Sequence, residues 1–187
     1  MKQAVEKRKP NGIVDYIALA LTTFGVGYIP GAPGTYGSVV GVVIYIGVLW
    51  ITGIASILVF GGDGKITPVF WAFTNAIIAI GLVVFSLVGI WSSGRSISML
   101  GNDDPSEAVV DEVIGQFITF MFVPYILNWT LILPGFLLFR LFDIWKPYPI
   151  YDLQVLPNGL GICADDIVAG VYAGICLAVG HAIYLAI

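Results

Sequence analysis

Apolar runs long enough to cross a lipid bilayer are the feature that most constrains this chain. A helix that crosses the hydrocarbon core, which is ~30 Å thick, needs about 20 residues. The runs 37–60 and 68–91 have 24 residues each, 167–187 has 21, and none contains Asp, Glu, Lys or Arg. The stretch GGDGKIT between the first two runs predicts a turn. Only 11% of the 187 residues are charged, against about 25% in soluble domains. We therefore predict an all-α, polytopic integral membrane protein.

The apolar region 107–145 is interrupted in its middle by Pro124 and Asn128. Proline removes a helix hydrogen bond and clashes with the preceding turn, so one continuous helix is disfavoured. We predict two legs instead, over about 108–123 and 128–143. Each leg is short for a span, so a tilt or a local thinning of the bilayer would have to accompany it.

The N-terminal part combines a basic tail, 1–12, with an apolar stretch, 13–29, that is expected to form an interfacial helix or a first transmembrane helix. The chain shows no internal repeat. We therefore expect a single-domain helical bundle over 1–187, with about five spans plus the N-terminal interfacial helix.

Lysine and arginine indicate which ends of the spans face the cytoplasm, because they favour that side. If 13–29 lies on the membrane surface, seven of the eight basic residues fall on one side. Those seven are Lys2, Lys7, Arg8, Lys9, Arg95, Arg140 and Lys146, and Lys65 is the exception. If 13–29 crossed the bilayer, the basic tail and the later basic residues would lie on opposite faces. The surface placement is preferred, and it brings every polar cluster to the cytoplasmic face.

Two acidic pairs reach that face. Asp111 and Glu112 are expected at the start of the first leg, and Glu107 lies one helical turn before Asp111. Asp165 and Asp166 are expected at the start of the last span. Like charges this close on a helix repel one another, and an acid at the bilayer centre costs roughly 2.5–3.5 kcal/mol on insertion scales. A divalent cation would reduce both costs, and carboxylate oxygens are the ligands that Mg²⁺ prefers.

A simpler interpretation of these acids is that they only stabilise helix N-termini through the helix dipole. That explanation suffices for one pair. Two pairs together with Asp143 on the same face favour a metal site instead.

Cationic and glycine-rich segments at the same face predict a phosphate site. Arg140 and Asp143 share a helical face, and Lys146 precedes Pro147 on an exit loop. Arginine and lysine both bind phosphate, although an Arg–Asp ion pair with snorkelling cations would give the same pattern. The loop IPGAPGTYGS, which contains Thr35 and Ser38, precedes a helix whose N–H groups suit an anion. Taken alone, the loop is better explained as a capped turn, and its place at the acidic face is what favours an anion site.

The absence of known phosphatase motifs narrows the choice of reaction mechanism. Neither Cys163 nor Cys176 begins a C-x5-R phosphatase loop, there is no D-x-D-x-T motif, and His181 is the single histidine. No basic patch predicts a nucleic-acid partner. The mechanism that remains is metal-assisted attack on a phosphoryl group, either by water or by a carboxylate.

Two other classes of membrane protein compete with an enzyme. A transporter or ion pathway would place acids deep within the spans and would often contain inverted repeats. A structural or assembly protein would need helix-packing motifs, and the pairs Gly37/Gly41 and Gly170/Gly174 have the required spacing. Those glycine pairs fit the packing of an enzyme equally well.

Four motifs, in this order and spacing, resemble the phosphatidylglycerophosphatase A family: PGAPGTYGS, DEVIGQ, FRLFDIWKPYPI and GLGICADDIVAG. The resemblance covers about residues 20–185. It implies Mg²⁺-dependent hydrolysis of phosphatidylglycerophosphate to phosphatidylglycerol and phosphate, at the cytoplasmic face of the bacterial inner membrane. Some relatives are soluble or act on other phosphate monoesters, so the resemblance leaves that alternative substrate open.

The matching positions imply a set of site residues. The acids expected to be catalytic are Asp111, Glu112, Asp143, Asp165 and Asp166. The metal ligands among them would be Asp111, Glu112, Asp165 and Asp166, and Thr35, Ser38, Arg140 and Lys146 would bind the phosphate. The number of metal ions, the general base, the oligomeric state and the role of His181 stay open.

Overall fold

A computed structural model describes residues 4–60 and 68–187 of the chain. It contains seven α-helices: α1 Ile13–Thr23, α2 Pro33–Phe60, α3 Pro68–Leu100, α4 Val110–Phe120, α5 Trp129–Trp145, α6 Ile150–Leu153 and α7 Asn158–Ala186. A short 3-10 turn, Val26–Tyr28, follows α1. The described residues form no β-strand, so the all-α prediction is confirmed. The turn predicted over 61–67 lies outside the described residues.

Three of the described helices, α2, α3 and α7, are long and apolar enough to cross a membrane. Large apolar side chains such as Ile51, Ile77 and Ile183 are more than half exposed on them. Lipid would cover these side chains, which supports the prediction of a membrane protein. The expected total of about five spans is not confirmed, because α4 has 11 residues and α5 has 17. α1 also has 11 residues, which is too short to cross and agrees with the surface placement of 13–29.

Two helices extend further than their apolar runs predict. α3 continues past 91 to Leu100, and α7 begins at Asn158 instead of 167. The additional turns contain serine and glycine that are buried between helices. Gly159, for example, packs against the backbone of Ile90 so closely that a methyl group there would overlap its carbonyl oxygen. Tertiary packing therefore stabilises helical turns that hydropathy does not predict.

α4 lies at the centre of the bundle and contacts α2, α3, α5 and α7. Four of its side chains, Val110, Val113, Ile114 and Phe120, are fully buried. The predicted pairing of Glu107 with Asp111 on this helix is wrong, because α4 begins only at Val110.

Both predicted glycine pairs pack against α4 or the residues next to its ends. Gly37 and Gly41 of α2 face residues 109–116, Gly170 of α7 lies directly on the Gly115 carbonyl group, and Gly174 packs against Phe122. Small residues at these positions let the backbones approach closely, as is common between membrane helices. These contacts fix the relative position of the segments that carry the acidic side chains.

The N-terminal tail is attached to the end of α3 by a buried acid. Asp15 of α1 is 1% exposed and pairs with Arg8 of the tail and, at 2.6 Å, with Nε of Arg95 on α3. The hydrogen bond from Arg8, together with those from the Asn11 backbone and Arg95, lowers the pKa of Asp15 below its ordinary range. These ion pairs place α1 and the basic tail at the same end of the bundle as the starts of α4 and α7.

Candidate active site

A cavity of about 1110 Å³ opens at that end of the bundle. Its wall is formed by the start of α2, the segment before α4 and its first turn, the end of α5, the α6 segment and the start of α7. The charged side chains that line it are Asp103, Asp104, Asp111, Glu112, Arg140, Asp143, Lys146, Asp165 and Asp166. Segments far apart in sequence therefore meet in one cavity, as the sequence predicts.

Three carboxylates form a compact cluster in this cavity. Asp111, Glu112 and Asp166 each contribute an oxygen, and these oxygens lie within 4.8 Å of one another. The close contact of Gly170 with Gly115, one turn further along both helices, brings the first turn of α4 to Asp166 on α7. The geometry is thus a direct result of small residues at the α4–α7 contact.

The electrostatics of the cluster favour a cation. Oδ1 of Asp111 and Oε2 of Glu112 are buried and have no hydrogen-bond partner. Burial raises the pKa of Asp111 well above its ordinary value, and the charges of Glu112 and Asp166 raise it further. A divalent cation would provide the missing partner for these oxygens and reverse the effect on ionisation. The residues present therefore fit a hard divalent cation such as Mg²⁺.

Two ion pairs also line the cavity. Nη1 of Arg140 donates to Oδ2 of Asp143 at 2.5 Å, and Nζ of Lys146 donates to Oδ2 of Asp165 at 2.5 Å. Burial lowers the pKa of Lys146, but the charge and hydrogen bond of Asp165, together with the charges of Asp166 and Asp143, outweigh it, so the net shift is upward. Lys146 therefore stays charged at the cavity wall, where it and the Arg140 guanidinium suit an anionic ligand.

Asp165 occupies a different place from its neighbour Asp166. It accepts hydrogen bonds from Lys146 and, at 2.9 Å, from Nε2 of Gln154, and it does not belong to the three-carboxylate cluster. Its Oδ1 is buried without a partner. The structure thus brings three of the four predicted metal ligands together and places Asp165 beside the cationic side chains.

Neither of the predicted hydroxyl donors lines the cavity. Ser38 is fully buried and donates to the carbonyl oxygen of Gly34, at 2.9 Å, within α2. Thr35 lies outside the cavity lining, to which this loop contributes Ala32, Pro33 and Gly34. A methyl group on Gly34 would overlap Oε1 of Glu112, so the glycine makes room for the acidic cluster.

Two glutamines at the site were not singled out from the sequence. Gln154 follows α6 and lines the cavity beside Asp165. Gln116 lies one turn after Glu112 on α4 and is fully buried. An amide four residues after an acid in a predicted helix was a usable signal for Gln116, whereas the irregular segment before α7 offered none for Gln154.

One rim of the cavity is apolar and open. Ile144, Tyr151 and Val155 line it and are 71%, 67% and 85% exposed. A soluble pocket would not retain such exposed apolar side chains without a partner. Because they adjoin the membrane-length helices, they extend the lipid-facing surface up to the charged groups.

Comparisons with known proteins show the family of this chain. A family model described as phosphatidylglycerophosphatase A matches residues 19–181. A putative phosphatidylinositol-3-phosphatase of Bacteroides thetaiotaomicron is 35% identical over 86% of this chain and 90% of its own length. Phosphatidylglycerophosphatase A of Haemophilus influenzae is 33% identical over 88% of both chains, and that of Escherichia coli is 32% identical over 84% of this chain and 80% of its own. No solved structure matches the chain. The chain belongs to the phosphatidylglycerophosphatase A family.

Proposed function

We propose that this protein hydrolyses the terminal phosphate monoester of phosphatidylglycerophosphate in a Mg²⁺-dependent reaction at the cytoplasmic face of a bacterial inner membrane. The products are phosphatidylglycerol and inorganic phosphate. The observation that carries the proposal is the clustering of Asp111, Glu112 and Asp166 within 4.8 Å of one another, in the cavity that Arg140 and Lys146 also line. The family relationship supports the substrate.

In the proposed reaction, the oxygen of a water molecule bonds to phosphorus while the bond from phosphorus to the glycerol oxygen breaks. The proton that the water loses passes to the alcohol that leaves. Asp111, Glu112 and Asp166 would hold Mg²⁺, which would supply Lewis-acid stabilisation of the charge on the phosphoryl oxygens. Arg140 and Lys146, which line the same cavity, bind the phosphate.

The acids that pair with these cations act as positioning groups. Asp143 holds one edge of the Arg140 guanidinium, which leaves its remaining N–H groups available to phosphate oxygens. Asp165, which also accepts a hydrogen bond from Gln154, fixes the end of Lys146.

The shape of the site supports a lipid substrate. The cavity, at about 1110 Å³, exceeds what a phosphate group needs and resembles pockets for larger ligands. Its exposed apolar rim would let the acyl chains stay in the bilayer while the headgroup reaches the charged wall.

Phosphate release from purified protein in mixed micelles tests this proposal. We expect release from phosphatidylglycerophosphate that stops with EDTA and returns with excess Mg²⁺. Activity that EDTA leaves unchanged would refute the metal dependence. Absence of release from the lipid, by protein that binds Mg²⁺, would refute the substrate.

The Bacteroides relative favours a second candidate, a phosphoinositide monophosphate, because its name indicates a different phospholipid monoester. Both headgroups present a phosphate monoester to the same charged wall. The ratio of kcat/KM for phosphatidylglycerophosphate and phosphatidylinositol 3-phosphate, in micelles of equal composition, distinguishes them. The first proposal requires a ratio above one.

A further inference from the structure

Gln116 is a buried polar side chain near the site. Within the described part of the chain it makes no hydrogen bond that stabilises the fold, and it has no role in the proposed reaction. Both of its amide atoms are buried and lack a hydrogen-bond partner. Among the buried side-chain atoms without a partner in residues 4–60 and 68–187, its Nε2 is the one donor. The others include Oδ1 of Asp111 and Oε2 of Glu112, which are acceptors. An unused donor thus lies close to unused acceptors.

Contacts with α2 show which way these side chains extend. Gly37 of α2 faces Cβ of Glu112, whereas the Glu112 carboxylate reaches back to Gly34. Gly41 faces Cβ and Cγ of Gln116. The two helices therefore run in the same direction, and Glu112 extends towards the N-terminus of α4, as helical side chains usually do. The same preference directs the Gln116 amide towards Glu112, one turn away.

The chain provides space for this pair. Methyl groups on Gly34, Gly37 and Gly41 would overlap or crowd Glu112, Val109 and Gln116. The three glycines thus leave room along α4 for the acid and the amide, and the amide is fully buried.

We propose that Gln116 is a positioning residue for the divalent cation, donating from Nε2 to Glu112 and so fixing the carboxylate in its ligating orientation. This inference rests on the proposed function, because it assumes that the acidic cluster binds a metal. Partners that hold metal ligands in this way typically contribute about 10–100-fold to metal affinity. Gln116 itself stays behind the cavity wall and does not contact the substrate.

Binding of Mn²⁺ to the purified full-length protein in detergent tests the inference without measuring activity. The free ion gives an electron paramagnetic resonance signal that disappears on binding, so a titration yields Kd directly. For Gln116→Met, which keeps the shape but loses the donor, we expect Kd to rise about 10-fold or more. In a Glu112→Ala background the same substitution should have no further effect, because Gln116 acts through Glu112.

Ser92→Ala is the matched control. Ser92 of α3 is also fully buried, but its hydroxyl donates within its own helix, to the carbonyl oxygen of Gly89 at 3.0 Å. This variant should bind Mn²⁺ like the wild type. If Gln116→Met also binds like the wild type, the inference is wrong while the metal site stands. A wild-type protein that binds no Mn²⁺ would overturn both the inference and the proposed metal dependence. If Gln116→Met does not fold, Gln116→Leu replaces it with the same criteria.

Discussion

At the scale of single residues, a substitution at Asp166 distinguishes an effect on catalysis from an effect on folding stability. It is 3% exposed and lies against two other acids, so its charge opposes the metal-free fold and is needed only when a cation binds. We expect Asp166→Asn to lower phosphatase activity by about 100-fold or more, because the metal contributes several kcal/mol to such reactions. The melting temperature in EDTA should stay equal or increase. Phosphate release and thermal unfolding measure the two effects, and full activity in the variant would remove Asp166 from the site.

For the ion pair of Lys146 and Asp165 we predict the opposite effect: loss of one partner lowers the stability of the fold. Removing Lys146 leaves a buried carboxylate with no cationic partner, so Lys146→Met should cost about 3 kcal/mol of unfolding free energy. Adding Asp165→Asn should recover most of this loss, since the unpaired charge is then gone. Denaturant unfolding of both single variants and the double variant checks this. Additive losses would show that the two side chains do not depend on each other.

The residues of the site were partly predictable for a physical reason. Acidic residues at a membrane boundary cost free energy, so they stand out in an apolar sequence as candidates for a site. Asp111, Glu112 and Asp166 do lie together in the structure. Asp165 was grouped with Asp166 because the two are adjacent, yet neighbours on an α-helix point about 100° apart. That rotation turns Asp165 to Lys146. The hydroxyl of Ser38 donates a hydrogen bond to a backbone carbonyl oxygen of its own helix instead of to a ligand. Any buried serine in a helix can form such a bond, so the sequence alone does not distinguish the two roles.

The existence of the long apolar helices α2, α3 and α7 was the most predictable property at the scale of secondary structure. Hydropathy identifies α2, α3 and α7 because apolar residues fill whole turns of these helices. It misses the first turns of α7, where Asn158 and Gly159 have low helix propensity. Those turns are helical because α3 packs against them. Contacts between helices are a tertiary property that a scan of single segments does not contain.

The glycines of α7 give a test at this scale. Gly170 contacts the backbone of Gly115, whereas a methyl group added at Gly180 would meet nothing within 4 Å. Gly170→Ala should separate α4 from α7, destabilise the protein by about 1–3 kcal/mol and lower activity through displaced carboxylates. Gly180→Ala should leave stability and activity unchanged. Thermal unfolding and phosphate release test both variants, and equal behaviour would show that the α4–α7 contact does not position the site.

At the scale of the whole molecule, the charged side chains of residues 4–60 and 68–187 gather at one end of the bundle, from which the long apolar helices extend. Three contacts tie this end together: the buried Asp15 joining tail and α3, the acidic cluster joining α4 and α7, and Lys146 joining α5 and α7. The distribution of basic residues predicts that this end faces the cytoplasm. A substrate phosphate would then have to lie in the inner leaflet, because the cavity with the charged side chains opens at that end.

Chemical labelling tests this orientation. Ser106 is exposed at the cavity rim, so a cysteine there should react with a membrane-impermeant maleimide from the side that the cavity faces. In a Cys176→Ser background, which removes the exposed native thiol, we expect Ser106→Cys to be labelled in inverted inner-membrane vesicles and protected in intact spheroplasts. The buried Cys163 should react in neither. Labelling in spheroplasts alone would place the cavity on the outer face, and phosphate hydrolysis would then have to use lipid of the other leaflet.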